Sequence, residues 1–510
     1  MSSGAGAGGS GSDEAGGQPA AGSSARASVL AGGAWSLWSW VVTSTTGLVL
    51  TVVLVRVMPS NSYGILATDF ALVSVLSVLC SFGLSSSVAR EASLAERPTA
   101  VAPAASRAAG IGMLAALLFV AIAALSMGIG GHMRQYLWPF VIMAPAVIVA
   151  PLANTSLGLA SASFRYRLVA GTNIAGAVCA LAFSGAVLLA GTRTAVPLAA
   201  VRTAAILAGY VPLVIGSRLL AGRRRVGAGD RAARAILTLG AAVVVSWAFA
   251  IMVANLDVVV LGLVRGSTLA GRYAPVSKLA DAVAGLTLLL GGYVLPALTK
   301  TARNGSPAEL HSLYRWATRW GLMMCLPPVL VLELVPAEVL HLLFGSKTNG
   351  LAAPARILGG GVLVNAALGY NGLFLIVQGA RRVIVKISAF GIALTIVACG
   401  LLIPPYGAVG ASLGTAVPLV LTNAAMSTYL WRQHRLRPLD RRTLALLVLA
   451  GAAAAGTVEL CRLGGMGDWV TVVSTGVVTS IACLLVSLGI RGKADRRVLS
   501  EVFASRASRG

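Results

Sequence analysis

Acidic and basic side chains interrupt the long apolar stretches of this sequence at a few positions, and side chains of these types can bind an anion or carry a proton. Asp257 stands in one apolar stretch, and Lys278 and Asp281 stand in the next. A spacing of three residues puts Lys278 and Asp281 on the same side of a helix, where the two can pair. Such a cluster either neutralises itself and is structural, or opens when a proton or an anionic ligand competes for it. The sequence favours neither interpretation.

Two arginines and one aspartate form a second candidate group. Arg202 and Arg356 lie deeper in their apolar stretches than a residue at a turn needs to, and both are predicted to face a cleft. Asp69 is a candidate counter-ion for them. An ionisable group at the centre of a membrane helix costs about 2.5–3.5 kcal/mol on insertion scales, so each such residue is a functional candidate.

For other residues, a position near the end of an apolar stretch weakens the argument that an ionisable side chain is functional. Arg56 and Arg265 lie near the ends of their apolar stretches, where a long side chain can reach the head groups, so they are either caps of short turns or ligand contacts. Asp69, Asp257 and Asp281 are also placed toward one end of their helices. Glu333 follows Pro327-Pro328, so its segment is either kinked at the prolines or broken for alternating access.

The composition determines the class of protein. Hydrophobic residues make up 57% of the 510 residues, charged residues only 11%, and the mean hydropathy is +0.85. Such values indicate an integral membrane protein. The net charge of +24 does not indicate a nucleic-acid-binding protein, because the basic residues fall between the apolar stretches, as the positive-inside rule requires.

Fourteen apolar segments are long enough to cross a bilayer. If both termini are cytoplasmic, thirty of the 40 Lys and Arg residues lie on the cytoplasmic side, which supports this topology. Two stretches repeat: Leu54-Val55-Arg56 matches Leu263-Val264-Arg265 at an offset of 209, and Tyr63 matches Tyr273 at an offset of 210. The repeat predicts two six-helix lobes with the same orientation around a central cleft, which favours a transporter over a receptor.

The predicted organisation of this all-α polytopic protein follows from the segments and the repeat. It comprises a disordered cytoplasmic tail at 1–28, an N-lobe at 29–217, a basic linker at 218–234, a C-lobe at 235–430, a basic loop at 431–442, two extra helices at 443–490 and a cytoplasmic tail at 491–510.

Several chemistries are not predicted. The six cysteines and four histidines are scattered, so we expect no metal site. No loop exceeds about twenty residues, too few for a soluble catalytic domain, and we expect neither an enzyme nor catalytic residues. Gly345-Ser-Lys347-Thr lacks the glycine directly before the lysine that a phosphate-binding loop requires. We therefore expect no cofactor, with coupling to H⁺ or Na⁺ as an open alternative.

Three segments resemble the polysaccharide-transport flippases of the multidrug, oligosaccharidyl-lipid and polysaccharide (MOP) exporter superfamily. They are the first hairpin Leu54-Val-Arg56-Val-Met-Pro59-Ser-Asn-Ser-Tyr63-Gly64 with Phe82-Gly83-Leu84 and Arg90-Glu91; the stretch with Asp257, Gly262, Tyr273, Lys278 and Pro296; and Pro405-Tyr406-Gly407. The resemblance implies a flippase in the bacterial plasma membrane that moves an undecaprenyl-diphosphate-linked oligosaccharide to the outer face by alternating access of the two lobes.

The resemblance also implies roles and partners. Arg202, Lys278 and Arg356, with Arg56 and Arg265, are candidates to offset the phosphate charge, and Asp257, Asp281, Asp69 and Glu333 are candidates for ion coupling or a charge cluster. The expected partners are the lipid-linked sugar, membrane lipids and a polysaccharide polymerase or glycosyltransferases. Two alternatives are an ion-coupled exporter of small molecules of the multidrug type and a non-transporting scaffold for polysaccharide-synthesis enzymes.

Overall fold

The computed structural model describes residues 20–95, 98–163, 165–221, 230–304, 306–437 and 439–489. Every secondary-structure element within these ranges is a helix. Twelve of the helices are long and apolar enough to cross a membrane. One of them, Arg381–His434, turns back on itself, whereas the helix Ser267–Asn304, predicted as span eight, is not among the twelve. The all-α fold is confirmed, and the count of fourteen spans stays a prediction.

The described part of the N-lobe has seven α-helices. They are α1 Ala20–Val57, α2 Ser60–Cys80, α3 Leu84–Leu94, α4 Ala102–Ile129, α5 Arg134–Ala162, α6 Tyr166–Leu189 and α7 Ala195–Ala221. α1 begins inside the segment 1–28, where the composition predicts a tail, and residues 1–19 lie outside the described ranges. Predicted span two is divided into α2 and α3 at Gly83, which has a φ of 62°.

The described part of the C-lobe also has seven α-helices. They are α8 Asp230–Arg265, α9 Ser267–Asn304, α10 Pro307–Leu334, α11 Pro336–Phe344, α12 Ala352–Leu368, α13 Asn371–Val377 and α14 Arg381–His434. Of the predicted linker 218–234, residues 218–221 and 230–234 belong to α7 and α8, and the intervening residues are not described. α10 begins with a capping box, in which the Ser306 side chain accepts from the Glu309 N–H and the Glu309 carboxylate accepts from the Ser306 N–H.

α14 is a helical hairpin in one continuous element. Gly407, with a φ of 54° and a ψ of −122°, lies inside it and reverses the chain. A Cβ added to Gly414 would lie 2.7 Å from the Cys399 sulfur, and one added to Gly410 would overlap the Leu402 carbonyl oxygen. The glycines therefore allow the two halves to pack at close range, which accounts for predicted spans eleven and twelve.

The last two helices, α15 Arg441–Leu463 and α16 Asp468–Gly489, pack against α10 of the C-lobe. Two polar contacts link them to α11: Arg462 Nη2 lies 3.9 Å from Glu338 Oε1, and His341 Nδ1 lies 3.3 Å from Asp468 Oδ2, which is an ion pair only when the histidine is protonated. Asp440 caps α15, and its pKa is lowered because hydrogen bonds from Thr443 and the nearby arginines outweigh the opposing effect of burial.

The two ends of the bundle differ. We call the end that holds Arg90, Arg165, Arg315, Arg381 and Arg441 the basic end. The opposite end, the far end, holds the turns at 58–59, 130–133, 190–194, 335–351 and 464–467. At the far end α2 packs on α9 at residues without side chains, because a Cβ on Gly64 would overlap the Ser267 carbonyl oxygen and one on Gly271 the Ser60 carbonyl oxygen. The two lobes are thus closed against each other at this end.

Candidate functional site

Asp257 lies in a buried group in the C-lobe, where α8 packs on α9. Its side chain is fully buried. One carboxylate oxygen accepts from the Tyr273 hydroxyl at 2.8 Å and the Ser277 hydroxyl at 3.0 Å, and the other accepts from the Val258 N–H at 2.8 Å. Three donors satisfy the carboxylate, so this group fixes the packing of the two helices.

Lys278 and Asp281 lie next to this group on α9 and make hydrogen bonds of their own. Lys278 Nζ lies 3.0 Å from Asp281 Oδ2 and also donates to Asn255 Oδ1 and the Ala254 carbonyl oxygen, both at 3.2 Å. The side chains of the pair are 30% and 35% exposed. The predicted pairing of Lys278 with Asp281 therefore occurs, but Asp257 has its own donors and does not join them in one hydrogen-bonded cluster.

Asp69 is the buried acid of the N-lobe, and it has no hydrogen-bond partner. It is fully buried, and neither carboxylate oxygen meets a donor among the residues that the structure describes. The neighbouring Thr68 hydroxyl is also unpartnered there. The group lies where α2 packs on α5 and α8, since a Cβ on Gly262 would overlap the Thr68 hydroxyl and the Tyr136 hydroxyl donates to the Gly262 carbonyl oxygen at 2.8 Å.

The prediction that Asp69 is a counter-ion for Arg202 and Arg356 is wrong. The described contacts pair it with neither Arg202 nor Arg356. The reason is that α2 packs against α5, α8 and α9, so the Asp69 side chain is enclosed in protein. Its expected depth in the outer part of the helix stays a prediction.

Arg202 lines a cavity of about 490 Å³ within the N-lobe. The walls come from α1, α2, α5, α6 and α7, and polar atoms are supplied by Thr43, Asn154, Thr172, Asn173 and Tyr210. The guanidinium carbon lies 4.4 Å from the centre of the Phe70 ring, a cation–π contact that holds the group in place. Arg202 thus faces a cavity that N-lobe helices alone line, and not the cleft between the lobes that the sequence predicts.

Arg356 and Glu333 lie together at the end of α10. Arg356 Nε donates to the Glu333 carbonyl oxygen at 3.0 Å, while its side chain is exposed. Glu333 Oε1 is buried without a partner in the described part of the chain, and a Cβ on Gly359 would lie 2.7 Å from it. α10 continues through Pro327-Pro328 and ends at Leu334, so the break follows Glu333 and does not occur at the prolines.

Arg56 and Arg265 are both exposed at the far end. Arg56 Nε donates to the Leu343 carbonyl oxygen at 2.9 Å, and Arg56 also donates to the Leu342 carbonyl oxygen. Through these bonds Arg56 caps the C-terminus of a helix. That helix is not its own but α11 of the C-lobe. Arg265 lies beside the turn of α14, where a Cβ on Gly407 would be 3.7 Å from its Nη2.

Lys347 is the functional candidate that sequence reasoning missed. Its Nζ donates to the carbonyl oxygens of Val55 at 2.8 Å, Arg56 at 3.0 Å and Met58 at 2.6 Å. Partial burial and the charge of Arg193 lower the pKa of Lys347. A signal did exist in the sequence: Pro59 ends α1, and the carbonyls of its last turn need donors from elsewhere.

A second cavity, of about 370 Å³, lies between α9, α10, α11 and α16. Its walls are almost entirely apolar and include Leu279, Val283, Pro327, Val331 and Val472. Lys278 and Asp281 also lie on α9, but Lys278 donates to Ala254 and Asn255 of α8. Neither residue lines the apolar cavity.

Comparison with known proteins bears on this arrangement. The family described as polysaccharide biosynthesis protein matches residues 29–302. No match was found among curated protein sequences. Among solved structures, the chain resembles the lipid II flippase MurJ in an inward closed conformation, with a TM-score of 0.71 and 11% identity over 89% of this chain and 97% of that one.

Two other solved structures are transporters of the MOP superfamily. An inward-facing multidrug resistance MATE family transporter has a TM-score of 0.60 and 11% identity, over 77% of this chain and 94% of that one. A MOP superfamily transporter from Pyrococcus furiosus has a TM-score of 0.51 and 11% identity, over 80% and 95%. The predicted resemblance is confirmed: this multi-pass membrane protein has the fold of the MOP transporters and belongs to the polysaccharide biosynthesis protein family.

Proposed function

We propose that the protein is a flippase that moves a lipid-linked oligosaccharide, carried on a polyprenyl diphosphate such as undecaprenyl diphosphate, across the plasma membrane. The observation that carries the proposal is Arg202 in the N-lobe cavity. Its guanidinium has no acidic partner among the described residues and lies in a cavity with two side-chain amides. A cation with unused donors in a site of low dielectric constant suits a phosphate or another anion, and amides suit sugar hydroxyls.

The apolar cavity between α9, α10 and α16 supports a lipid-linked substrate. Its walls offer almost no polar atoms, which suits a polyprenyl chain and not a free sugar. Lys278, which is on α9 as well and is one-third exposed, can contact the diphosphate if Asp281 releases it. The arrangement thus supplies separate surfaces for the polar head and for the lipid chain.

The charge of the two ends supports an outward direction of movement. The basic end is cytoplasmic by the positive-inside rule, with both termini on that side. The lobes are closed at the far end, so the substrate is taken up from the cytoplasmic side. Alternating access then releases the head group outside, where a polysaccharide polymerase uses it, while glycosyltransferases supply it inside.

Asp69 is the best candidate for coupling to an ion gradient. A buried carboxylate without a partner is unfavourable, so this side chain holds a proton or a small cation while the lobes are closed at the far end. It lies where α2 meets α8 of the other lobe, and separation of the lobes exposes it to water. Entry of H⁺ or Na⁺ at this point would drive the return step.

An exporter of small cationic compounds is the main alternative. Such an exporter needs acidic residues in its cavity, yet no acid is among the residues that line the N-lobe cavity. The scaffold alternative needs no cavity at all. Polysaccharide output at the normal level from an expressed variant neutralised at Arg202, Lys278 and Arg356 would favour the scaffold.

The test measures flipping directly. In vesicles that contain the purified protein and a fluorescent sugar on a polyprenyl diphosphate, we expect Arg202→Gln to lower the initial rate at least about tenfold, since a charge-assisted contact is lost. Arg202→Lys should retain part of the rate. Lys386→Met, at an exposed lysine of the basic end, is the matched control.

A deletion strain gives the second measurement. We expect lipid-linked repeat units to accumulate on the cytoplasmic face when the protein is absent and to disappear on complementation. Absence of accumulation, together with an Arg202→Gln variant that flips at the wild-type rate, would contradict the proposed function.

A further inference from the structure

Lys347 connects the lobes by capping a helix that is not its own. It lies in the 3₁₀ turn Gly345–Thr348 of the C-lobe and donates to three carbonyls at the C-terminus of α1 in the N-lobe. The last carbonyls of a helix have no donors within the helix, and they form its negative end. Lys347 therefore satisfies polar groups that the N-lobe leaves open.

Arg56 makes the same kind of contact in the opposite direction. It stands in the last turn of α1 and donates to the Leu342 and Leu343 carbonyls, in the last turn of α11 in the C-lobe. Each lobe thus supplies the cation that caps a helix C-terminus of the other. We call these two residues and the carbonyls that they bind the reciprocal cap.

Arg272 keeps Lys347 with the C-lobe. From α9 it donates to the Lys347 carbonyl oxygen at 3.0 Å and the Asn349 carbonyl oxygen at 2.6 Å. The turn that carries Lys347 is therefore fixed on α9. When the lobes part at the far end, Lys347 moves with the C-lobe, Arg56 moves with the N-lobe, and the five bonds of the reciprocal cap break together.

The reciprocal cap holds positive charge without acidic partners. In the described part of the chain, no carboxylate lies within ion-pair distance of Arg56, Lys347 or Arg272. Arg193 adds a further positive charge near Lys347. Neutral carbonyls are weaker acceptors than phosphate oxygens, so parting of the lobes frees cationic donors that an anion binds better.

We propose that Lys347 and Arg56, with Arg193 beside them, form an anion site at the far end when the lobes part, and that the site takes the diphosphate of the substrate as it leaves. The identity of the anion rests on the proposed function. Because the site exists only with the far end open, a diphosphate shifts the protein toward that state. The anion replaces the helix ends as the partner of both cations.

The experiment measures the distance between the lobes in full-length protein in lipid nanodiscs. Spin labels are placed at Thr194 in the N-lobe and Ala353 in the C-lobe, both exposed at the far end. Cys179 is replaced by serine, since the other cysteines are buried. Inorganic pyrophosphate is the probe.

In the unaltered background we expect a short distance and a longer one that gains population as pyrophosphate is added. In Lys347→Met, which loses three hydrogen bonds, the longer distance should be populated at least about tenfold more without pyrophosphate. Pyrophosphate should then have little further effect. Lys386→Met should behave as the background.

Gly64→Ala separates the two parts of the inference. Its added Cβ forces α2 from α9 and leaves both cations intact, so this variant should be open and bind pyrophosphate more tightly in titration calorimetry. The anion site is contradicted if Gly64→Ala opens but binds pyrophosphate no better than the background. An unchanged distance distribution in Lys347→Met would contradict the reciprocal cap.

These results are separable from the proposed function. Opening by pyrophosphate needs neither a sugar nor a polyprenyl chain, so it can occur in a protein that fails to flip the labelled substrate. Flipping that depends on Arg202 can likewise persist if pyrophosphate does not open the far end.

Discussion

Among the side chains that the structure describes, each lobe encloses one fully buried aspartate, but only the aspartate of the C-lobe is satisfied. In the C-lobe, Tyr273 donates to Asp257. In the N-lobe, Tyr63 corresponds to Tyr273 in the repeat, but Leu48 stands at the position that corresponds to Asp257. The buried acid of the N-lobe is Asp69, whose position does not correspond to Asp257 in the repeat. Its carboxylate has no hydrogen-bond donor in the described part of the chain. The repeat has kept the helices and the arginines Arg56 and Arg265, but it has not kept the buried acids. We infer that the C-lobe acid stabilises packing and that the N-lobe acid is the one available to an ion.

The largest effect is expected from Asp69→Asn. Since asparagine neither takes up a proton nor balances a cation, we expect flipping driven by an ion gradient to fall at least about tenfold. Stability should stay within about 1 kcal/mol, because no hydrogen bond is lost. The measurement is flipping in vesicles with an imposed H⁺ or Na⁺ gradient, beside a denaturant melt.

Asp281→Asn is the control for this comparison. It removes an acid that is partly exposed and paired, so its response to the gradient should match that of the unaltered protein. A gradient response that survives in Asp69→Asn and disappears in Asp281→Asn would reverse the roles of the two lobes.

The second effect is on stability. Asp257→Ala leaves the hydroxyls of Tyr273 and Ser277 buried without their acceptor, and each such loss costs about 1–3 kcal/mol. The free energy of unfolding, measured in detergent, should fall by a corresponding amount. Asp257→Asn keeps an acceptor oxygen and should lose less. If the Asp257→Ala and Asp69→Asn proteins were equally stable, the inferred difference between the two buried acids would be contradicted.

The smallest effect is expected for the exposed pair. Lys278→Met and Asp281→Asn should each change stability by about 1 kcal/mol or less, because water screens a pair that is one-third exposed. A double-mutant cycle measures their coupling. A coupling as large as the effect of Asp257→Ala would assign the pair a packing role as well.

The sequence was sufficient for the class, the repeat and the family, since these depend on composition, on apolar spans and on matching segments. It also predicted the pairing of Lys278 with Asp281, which depends on helical spacing alone. Two features could not be predicted from the sequence. Arg202 faces a cavity because five helices surround it, and Lys347 meets α1 almost 300 residues away in the chain. Depth along a helix can be read from a sequence, but the neighbour that covers each face of that helix cannot.

The packing of α15 and α16 on α10, with the contacts to α11 beside it, adds two helices to the C-lobe. These helices give the C-lobe a larger lipid-facing perimeter than the N-lobe has. A body with more lipid contact meets more viscous drag. If the lobes part as proposed, the N-lobe therefore moves further through the lipid, and the wall of the apolar cavity in the C-lobe stays intact.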